Sequence, residues 1–423
     1  MMKNTRNLGA AAVVTSSAMV LAACGGGGGP SSGGGAFSDD KVVIAVLNDA
    51  TGVYADVAGP RAVKAVEMAV ADFKAKHGDA VKAKNIEVVS ADHQNKPDVA
   101  NTKAQELYDR QQADIIIDVP SSAAALAVAN QAKAKKKLHF NVGAGTTELT
   151  GAQCNKYTFH WSWDTYMMAQ STGKTVTKDG ASTWSIIYPD YAFGQDMNKN
   201  FTQAITEAGG KVNESIATPF PNDNFTTYLT RAASSKPKVI GTMHAAGDLT
   251  NLVKQYNQAG LKQQGVGLAV GLMFLFDIHS LGVEQLSGTK YTEPWYWNMD
   301  KEARDWSDKF LAETQTRPSS GQAGDYSAAL QYLEAVQETG TDDSDKVVAN
   351  LEGKSVNDMF LRNGKIRAED HRVVHDVYLA EVKNKADVKE DWDYVSILNT
   401  IPGDEAFRSA DASKAAGCSM PAS

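Results

Sequence analysis

Residues 115–147, IIIDVPSSAAALAVANQAKAKKKLHFNVGAGTT, contain two strand-to-turn transitions in succession. The β-branched run Ile115-Ile116-Ile117 stops at Asp118-Val119-Pro120, and Ser121 and Ser122 then open an alanine-rich stretch of strong helical propensity. That stretch closes on Lys135-Lys136-Lys137, cations where a helix C-terminus is negative. A second apolar run, 138–142, breaks into Gly143-Ala144-Gly145-Thr146-Thr147. Consecutive strands ending in small or hydroxylated residues fit an open parallel sheet, where ligands bind outside the carboxyl ends of the strands. Small residues there let a ligand reach backbone N–H groups, and a helix N-terminus beside Ser122 suits an anion. Ser121 and Ser122 equally suit a plain helix cap.

Outward from this stretch the chain alternates strand and helix. Residues 42–47 are almost continuously apolar, as in a strand buried on both faces. The loop NDATGVYADVAGP (48–60) carries Tyr54, and Ala62, Val66, Ala69, Val70 and Phe73 then share one helical face. A strand at 86–91 and a helix at 99–112 follow. Beyond Cys154 the same grammar restarts. A strand at 184–188 leads into Pro189-Asp190-Tyr191-Ala192-Phe193-Gly194, and a helix with Met197, Phe201, Ala204 and Ile205 on one face closes at Gly209-Gly210. Strands at 239–243 and 266–270 flank a helix at 248–259, with further helices expected at 301–314, 322–339 and 344–351. His371 to Val382 alternates apolar and polar residues and reads as one strand, on which His371 and His375 lie too far apart to share a metal. Repeated βα units with right-handed crossovers make the fold α/β, as two doubly wound parallel-sheet lobes. Aromatic residues in the loop after the first strand of each half, Tyr54 in one and Tyr191 and Phe193 in the other, point to a shared cleft.

The first residues have a different purpose. Lys3 and Arg6, the short apolar stretch 8–21 and Leu21-Ala22-Ala23-Cys24 resemble an export signal with a lipobox, which makes Cys24 a lipidated N-terminus and the product a membrane-anchored periplasmic lipoprotein. A Gly/Ser-rich tether follows, with no capacity for a core. The formal net charge of −8 argues against nucleic acid as a partner, because phosphate binding needs a basic face. Cys154 and Cys418 remain after Cys24, and in an exported chain an even remainder favours a disulfide, with two free thiols as the alternative. No nucleophile elbow or P-loop occurs, Gly143-Ala144-Gly145-Thr146-Thr147 does not complete a dinucleotide fingerprint, and no enzyme, cofactor or metal site is expected. His160, beside Trp161, and His244, just past a strand, are both placed where they could face the cleft, and both equally suit packed or solvated positions; His244 is kept as a candidate ligand contact.

Thr51-Gly-Val-Tyr-Ala-Asp56, Val119-Pro-Ser-Ser122, Gly143-Ala-Gly-Thr-Thr-Glu-Leu-Thr150, His160-Trp161, Asp190-Tyr-Ala-Phe-Gly194 and Val373-Val-His-Asp-Val-Tyr378 together resemble the type I periplasmic solute-binding proteins of ABC importers, in the branched-chain amino-acid binding class. The resemblance implies two lobes, joined by a hinge, that close on one small-molecule ligand and deliver it to an ABC permease in the inner membrane, the protein acting as a monomer. The organisation it implies is a signal peptide at 1–23, a lipid-anchored linker at 24–40, lobe 1 at 41–162 and 295–358, lobe 2 at 163–294 and 359–405, and a tail at 406–423. Carried onto this chain, Ser121, Ser122, Ala144, Gly145 and Thr146 would hold the ligand carboxylate. Tyr54, Tyr191 and Phe193 would cover its apolar part; His244 is a further candidate contact, and Met273, in a Leu272-Met273-Phe274 wall that suits a ring, another. Where amino-acid binders place an acidic residue for the ligand ammonium, this chain has Gly271-Leu272-Met273-Phe274. Burying an unpaired ammonium costs several kcal/mol. An aromatic or other non-amino acid is therefore one expected ligand, and a branched-chain amino acid, with Asp248 or Asp277 as substitute partner, the other. A sensing lipoprotein that signals to a membrane partner without transport is the alternative function.

Overall fold

In the computed structural model, residues 37–39 and 41–420 are described; the expected signal peptide, Cys24 and most of the expected tether lie outside them. Val42 to Leu47 are fully buried and form the centre of β1 (Lys41–Asn48). With β2 (Asn85–Asp92), β3 (Ile115–Asp118), β4 (Leu138–Asn141) and β5 (Thr158–His160) it builds a five-stranded sheet of order β2-β1-β3-β4-β5, all pairs parallel. The register sets Leu47 beside Asp118 and Asp118 beside Asn141, so the strands end at one level. Helices α1 (Gly59–His77), α2 (Pro97–Asp109) and α3 (Ser122–Lys135) supply the crossovers. Strand order reverses between β1 and β3, which puts the crevice of an open sheet at Tyr54 and Ser122.

A second parallel sheet, of order β7-β6-β8-β9, consists of β6 (Thr183–Pro189), β7 (Lys211–Thr218), β8 (Val239–Thr242) and β9 (Gly267–Val270). Its helices include α4 (Ala192–Glu207), α5 (Thr226–Ser234) and α6 (Ala246–Gln258). β5, β7 and α5 have no counterpart in the sequence reading. β5 has only three residues, and β7, KVNESIAT, is an edge strand whose half-exposed alternation gives no apolar run.

The last third of the chain returns to both sheets. α7 (Lys301–Thr314) packs on α1, and α8 (Ser320–Thr339), begun by a capping box of Ser319 and Gln322, packs on α1 and β3. β10 (Lys290–Glu293) belongs to a separate antiparallel sheet. The expected single strand from His371 to Val382 is corrected to two: β13 (Val373–Val374) pairs with β12 (Gly364–Ile366), which also pairs with β11 (Ser355–Val356), and β14 (Val377–Val382) lies between β10 and β15 (Val395–Ile401). The break lets this segment clasp the chain between β5 and β6. Arg372, 1% exposed, donates to the carbonyls of His160 (3.0 Å) and Ser162, stacks over Phe407, and lies 3.5 Å from Asp164. His375 Nε2 donates to the Ser162 carbonyl at 3.0 Å, while His371 Nε2 pairs with Glu352 at 2.9 Å, so the two histidines serve different partners. Cys154 and Cys418 form a disulfide with Cα atoms 5.4 Å apart.

Candidate ligand-binding site

The loops that leave β1, β3 and β4 face those that leave β6 and β9 around a narrow cavity. Its lining includes Ser122, Ala144, Gly145, Tyr54, Tyr191 and Phe193, all expected from the sequence. Ser121, Thr146, His244 and Met273 are not among the lining residues. Ser121 is the N-cap residue of α3 and is buried beside the pocket residue Ser122. The Thr146 hydroxyl accepts from the Glu148 N–H at 3.3 Å and caps the short turn that follows. His244 is fully buried between the hydroxyls of Thr218 and Thr242, each 3.0 Å away, with the Phe225 ring edge-on at 4.9 Å. Burial holds its imidazole neutral, with a pKa lowered to about 3. Met273 is turned into the core, and its neighbours Leu272 and Phe274 form the wall instead. Asp248 and Asp277, the alternative partners for an ammonium, are occupied elsewhere: Asp248 accepts from the Asn222 N–H and Asp277 from the Phe274 N–H.

Backbone strain marks the entry to α3. Asp118 and Val119 both adopt positive φ, +83° and +58°, a rare state for a β-branched residue and one that costs roughly 1–3 kcal/mol per residue. The turn ends with the Ser121 N–H bonded to the Val119 carbonyl at 2.8 Å and brings Asp118, Pro120 and Ser122 to the cavity. Neither serine hydroxyl caps α3, and the buried Ser121 Oγ and Ser122 Oγ have no hydrogen-bond partner. For Ser122, a lining residue, that leaves a hydroxyl free for a ligand. Gly143 and Gly145 are small because the protein itself comes close. A Cβ on Gly143 would lie 2.7 Å from Asp118 Oδ1, and one on Gly145 would lie 2.2 Å from the Trp163 ring.

The rest of the wall is aromatic. Trp163 meets Phe193 and Phe274 edge-on at 6.1 and 6.3 Å, and Phe220 supports Tyr191 by stacking at 4.3 Å. The hydroxyls of Tyr54 and Tyr191 bond to each other, joining a loop of the first sheet to a loop of the second. Burial holds both phenols protonated, with their pKa values raised. No Lys, Arg or His lines the cavity; its ionisable groups besides the two tyrosines are Asp118 and Asp325, the latter on α8. Trp163, Asp118 and Asp325 were not singled out as site residues from the sequence. Asp118 had a signal, a polar residue ending an isoleucine run.

Two parallel α/β layers that close their strand ends on one small-molecule cavity define a bilobal solute-binding protein of type I. The chain belongs to the periplasmic binding protein family, whose model matches residues 41–387. A periplasmic binding protein of Burkholderia mallei is 42% identical, over 88% of this chain and 97% of that one, with a TM-score of 0.84. A branched chain amino acid ABC transporter periplasmic ligand-binding protein of Burkholderia xenovorans LB400 is 35% identical, over 87% and 97% of the two chains, with a TM-score of 0.77. The Leu/Ile/Val-binding protein homolog 6 of Brucella abortus is 25% identical over 51% of this chain and 56% of its own, so the match spans about half the length of this curated relative.

Proposed function

We propose that this protein is the substrate-binding component of an ABC importer, which captures a small carboxylate-bearing organic solute between its two sheets and hands it to an inner-membrane permease. The observation that carries this is the cavity itself: aromatic walls on both sides, the unpartnered Ser122 hydroxyl, and the strand-end loop Gly143–Gly145 on the first sheet. Backbone N–H groups and a helix N-terminus hold an anion without a cationic side chain. The chain crossings near 162, 294 and 358 serve as the hinge, and Cys24 as the lipid anchor. The site binds and does not transform its ligand. Transport is favoured over sensing because the 35%-identical relative is an ABC transporter ligand-binding protein.

A thermal-shift screen of the purified protein against amino acids and aromatic acids tests the reading. A ligand at 100 times its dissociation constant stabilises by about 2.7 kcal/mol. A protein stabilised only by uncharged solutes would contradict carboxylate capture. With the acid so found, Ser122→Ala is expected to weaken binding about ten- to a hundred-fold in calorimetry, the loss of one hydrogen bond to a charged group. Its melting temperature should hardly move, because the hydroxyl makes no bond to the protein. Normal affinity in this variant would place the carboxylate elsewhere.

A further inference from the structure

Arg61 stands where its own helix offers it nothing. It lies in the first turn of α1, at the positive end of the helix dipole, and no acidic residue shares that turn. Its guanidinium donates to the Asp56 carbonyl, but its buried Nε has no hydrogen-bond partner. Burial also pulls its pKa below the usual arginine value, against the opposing field of the Asp56 carboxylate. The compensation comes from the second layer. The guanidinium carbon lies 4.3 Å from the centre of the Phe276 ring, on the short helix Leu275–Leu281 that follows β9. That is inside the ~6 Å range of a cation–π contact. Phe276 is itself braced. Trp392 meets it edge-on at 5.6 Å, His279 stacks on Trp392 at 3.9 Å, and the Trp392 carbonyl accepts from Tyr296 Oη at 3.0 Å and Trp297 Nε1 at 2.9 Å. Tyr296 and Trp297 come just after β10, at the chain crossing near 294.

We propose that Arg61 and Phe276 form a clasp between the two layers, made only when they close, which sets how long the solute stays bound without touching it. The inference rests on the solute-capture reading and names two positioning residues that govern its affinity. Neither residue lines the cavity. Phe276 is 7% exposed with the cation over its ring, and opening the layers returns both groups to water. A cation desolvated against a ring gains more than one in water, so the gain accrues to the closed form alone. A contact absent from the open form slows release and leaves capture nearly unchanged. The residue type matters as well. A planar guanidinium stacks on a ring face, whereas a lysine ammonium presents a strongly hydrated point charge. Bracing of Phe276 by Trp392 ties this rim contact to the segment about which the layers turn.

Stopped-flow kinetics and calorimetry on the full chain test this with L-leucine, L-phenylalanine, benzoate and 4-hydroxybenzoate as probes, the tightest binder being carried through the variants. Arg61→Gln is expected to release the probe about ten-fold faster, with an almost unchanged association rate. Phe276→Leu should do the same, and the double variant should be no worse than either single one, because both remove one contact. Arg61→Lys, which keeps the cation and loses the plane, should fall between Arg61→Gln and the unaltered protein. A residue that only stabilised α1 would lower the urea midpoint and leave the release rate alone, and that result in Arg61→Gln overturns the clasp while carboxylate capture stands. Effects of the two substitutions that multiply in the double variant also overturn it. Should Phe276→Leu not fold, the two Arg61 variants decide, and equal release rates in them count against the clasp. If none of the four probes binds the unaltered protein, carboxylate capture falls and the clasp falls with it.

Discussion

Asp196→Ala is expected to lower both conformational stability and ligand affinity. Asp196 lies on α4, beside the second sheet, and is 7% exposed. Its carboxylate accepts from the Thr147 N–H at 2.7 Å and the Thr147 hydroxyl at 2.9 Å, from the Thr165 hydroxyl, and from Asn200 Nδ2 at 3.3 Å. Thr147 follows the Gly143–Thr146 loop of the first sheet, and Thr165 follows the crossing between the sheets. One carboxylate thus holds a pocket loop, a crossing segment and a helix of the opposite layer together. Hydrogen bonds to a charged acceptor contribute about 1.5–3 kcal/mol each and a stranded buried donor costs about 1–3 kcal/mol, so a total loss of about 3–5 kcal/mol is expected after partial relaxation. Part of this is paid as opening between the layers and appears as weaker binding, on the order of a hundred-fold. Urea unfolding and calorimetry on the same variant separate the two. A lowered unfolding midpoint with unchanged affinity would show that Asp196 stabilises only its own layer.

Removal of the disulfide is expected to be about as costly, by a different route. Cys154 and Cys418 are separated by 264 positions, and their bond ties the C-terminal segment to the turn before β5. Arg408 reinforces this attachment by donating to the Thr147 carbonyl at 3.0 Å. Constraining the unfolded chain over so long a loop contributes up to about 4–5 kcal/mol, less where the unfolded state retains structure. The Cys154→Ser/Cys418→Ser double variant should therefore unfold at clearly lower urea concentration than the oxidised protein. Its ligand affinity should persist, because neither cysteine lines the cavity. Equal midpoints for the two proteins would count against a stabilising bond.

The elements that bound the cavity were legible because their signals are local. Residues 42–47 and 115–117 are apolar without interruption and became the buried strands β1 and β3. The breaks at Ser122 and at Gly143–Gly145 came where the two strands stop, and both reached the cavity. Tyr54, Tyr191 and Phe193 followed from one rule, that loops at the carboxyl ends of parallel strands meet the ligand. The weak points were equally physical. The alternation in His371–Val382 marks strand residues but not a change of sheet, and the short polar strands β5 and β7 carry no hydrophobic run to detect.

What the sequence determined by itself is the βα alternation, the parallel sheets and the loops that face the site, because hydrophobic periodicity and turn chemistry act over a few residues. Only the tertiary structure decided which side chains of those loops enter the cavity. Past β9 the chain is irregular and no two-residue alternation applies, so Leu272 and Phe274 turned inward to the ligand and Met273 to the core. Trp163 reached the wall through a crossing between the sheets, and Asp325 through α8, more than two hundred positions from Asp118. Pairings of that kind depend on how the late helices pack back onto the first sheet. The burial of the whole chain sets that packing, and no window of sequence contains it.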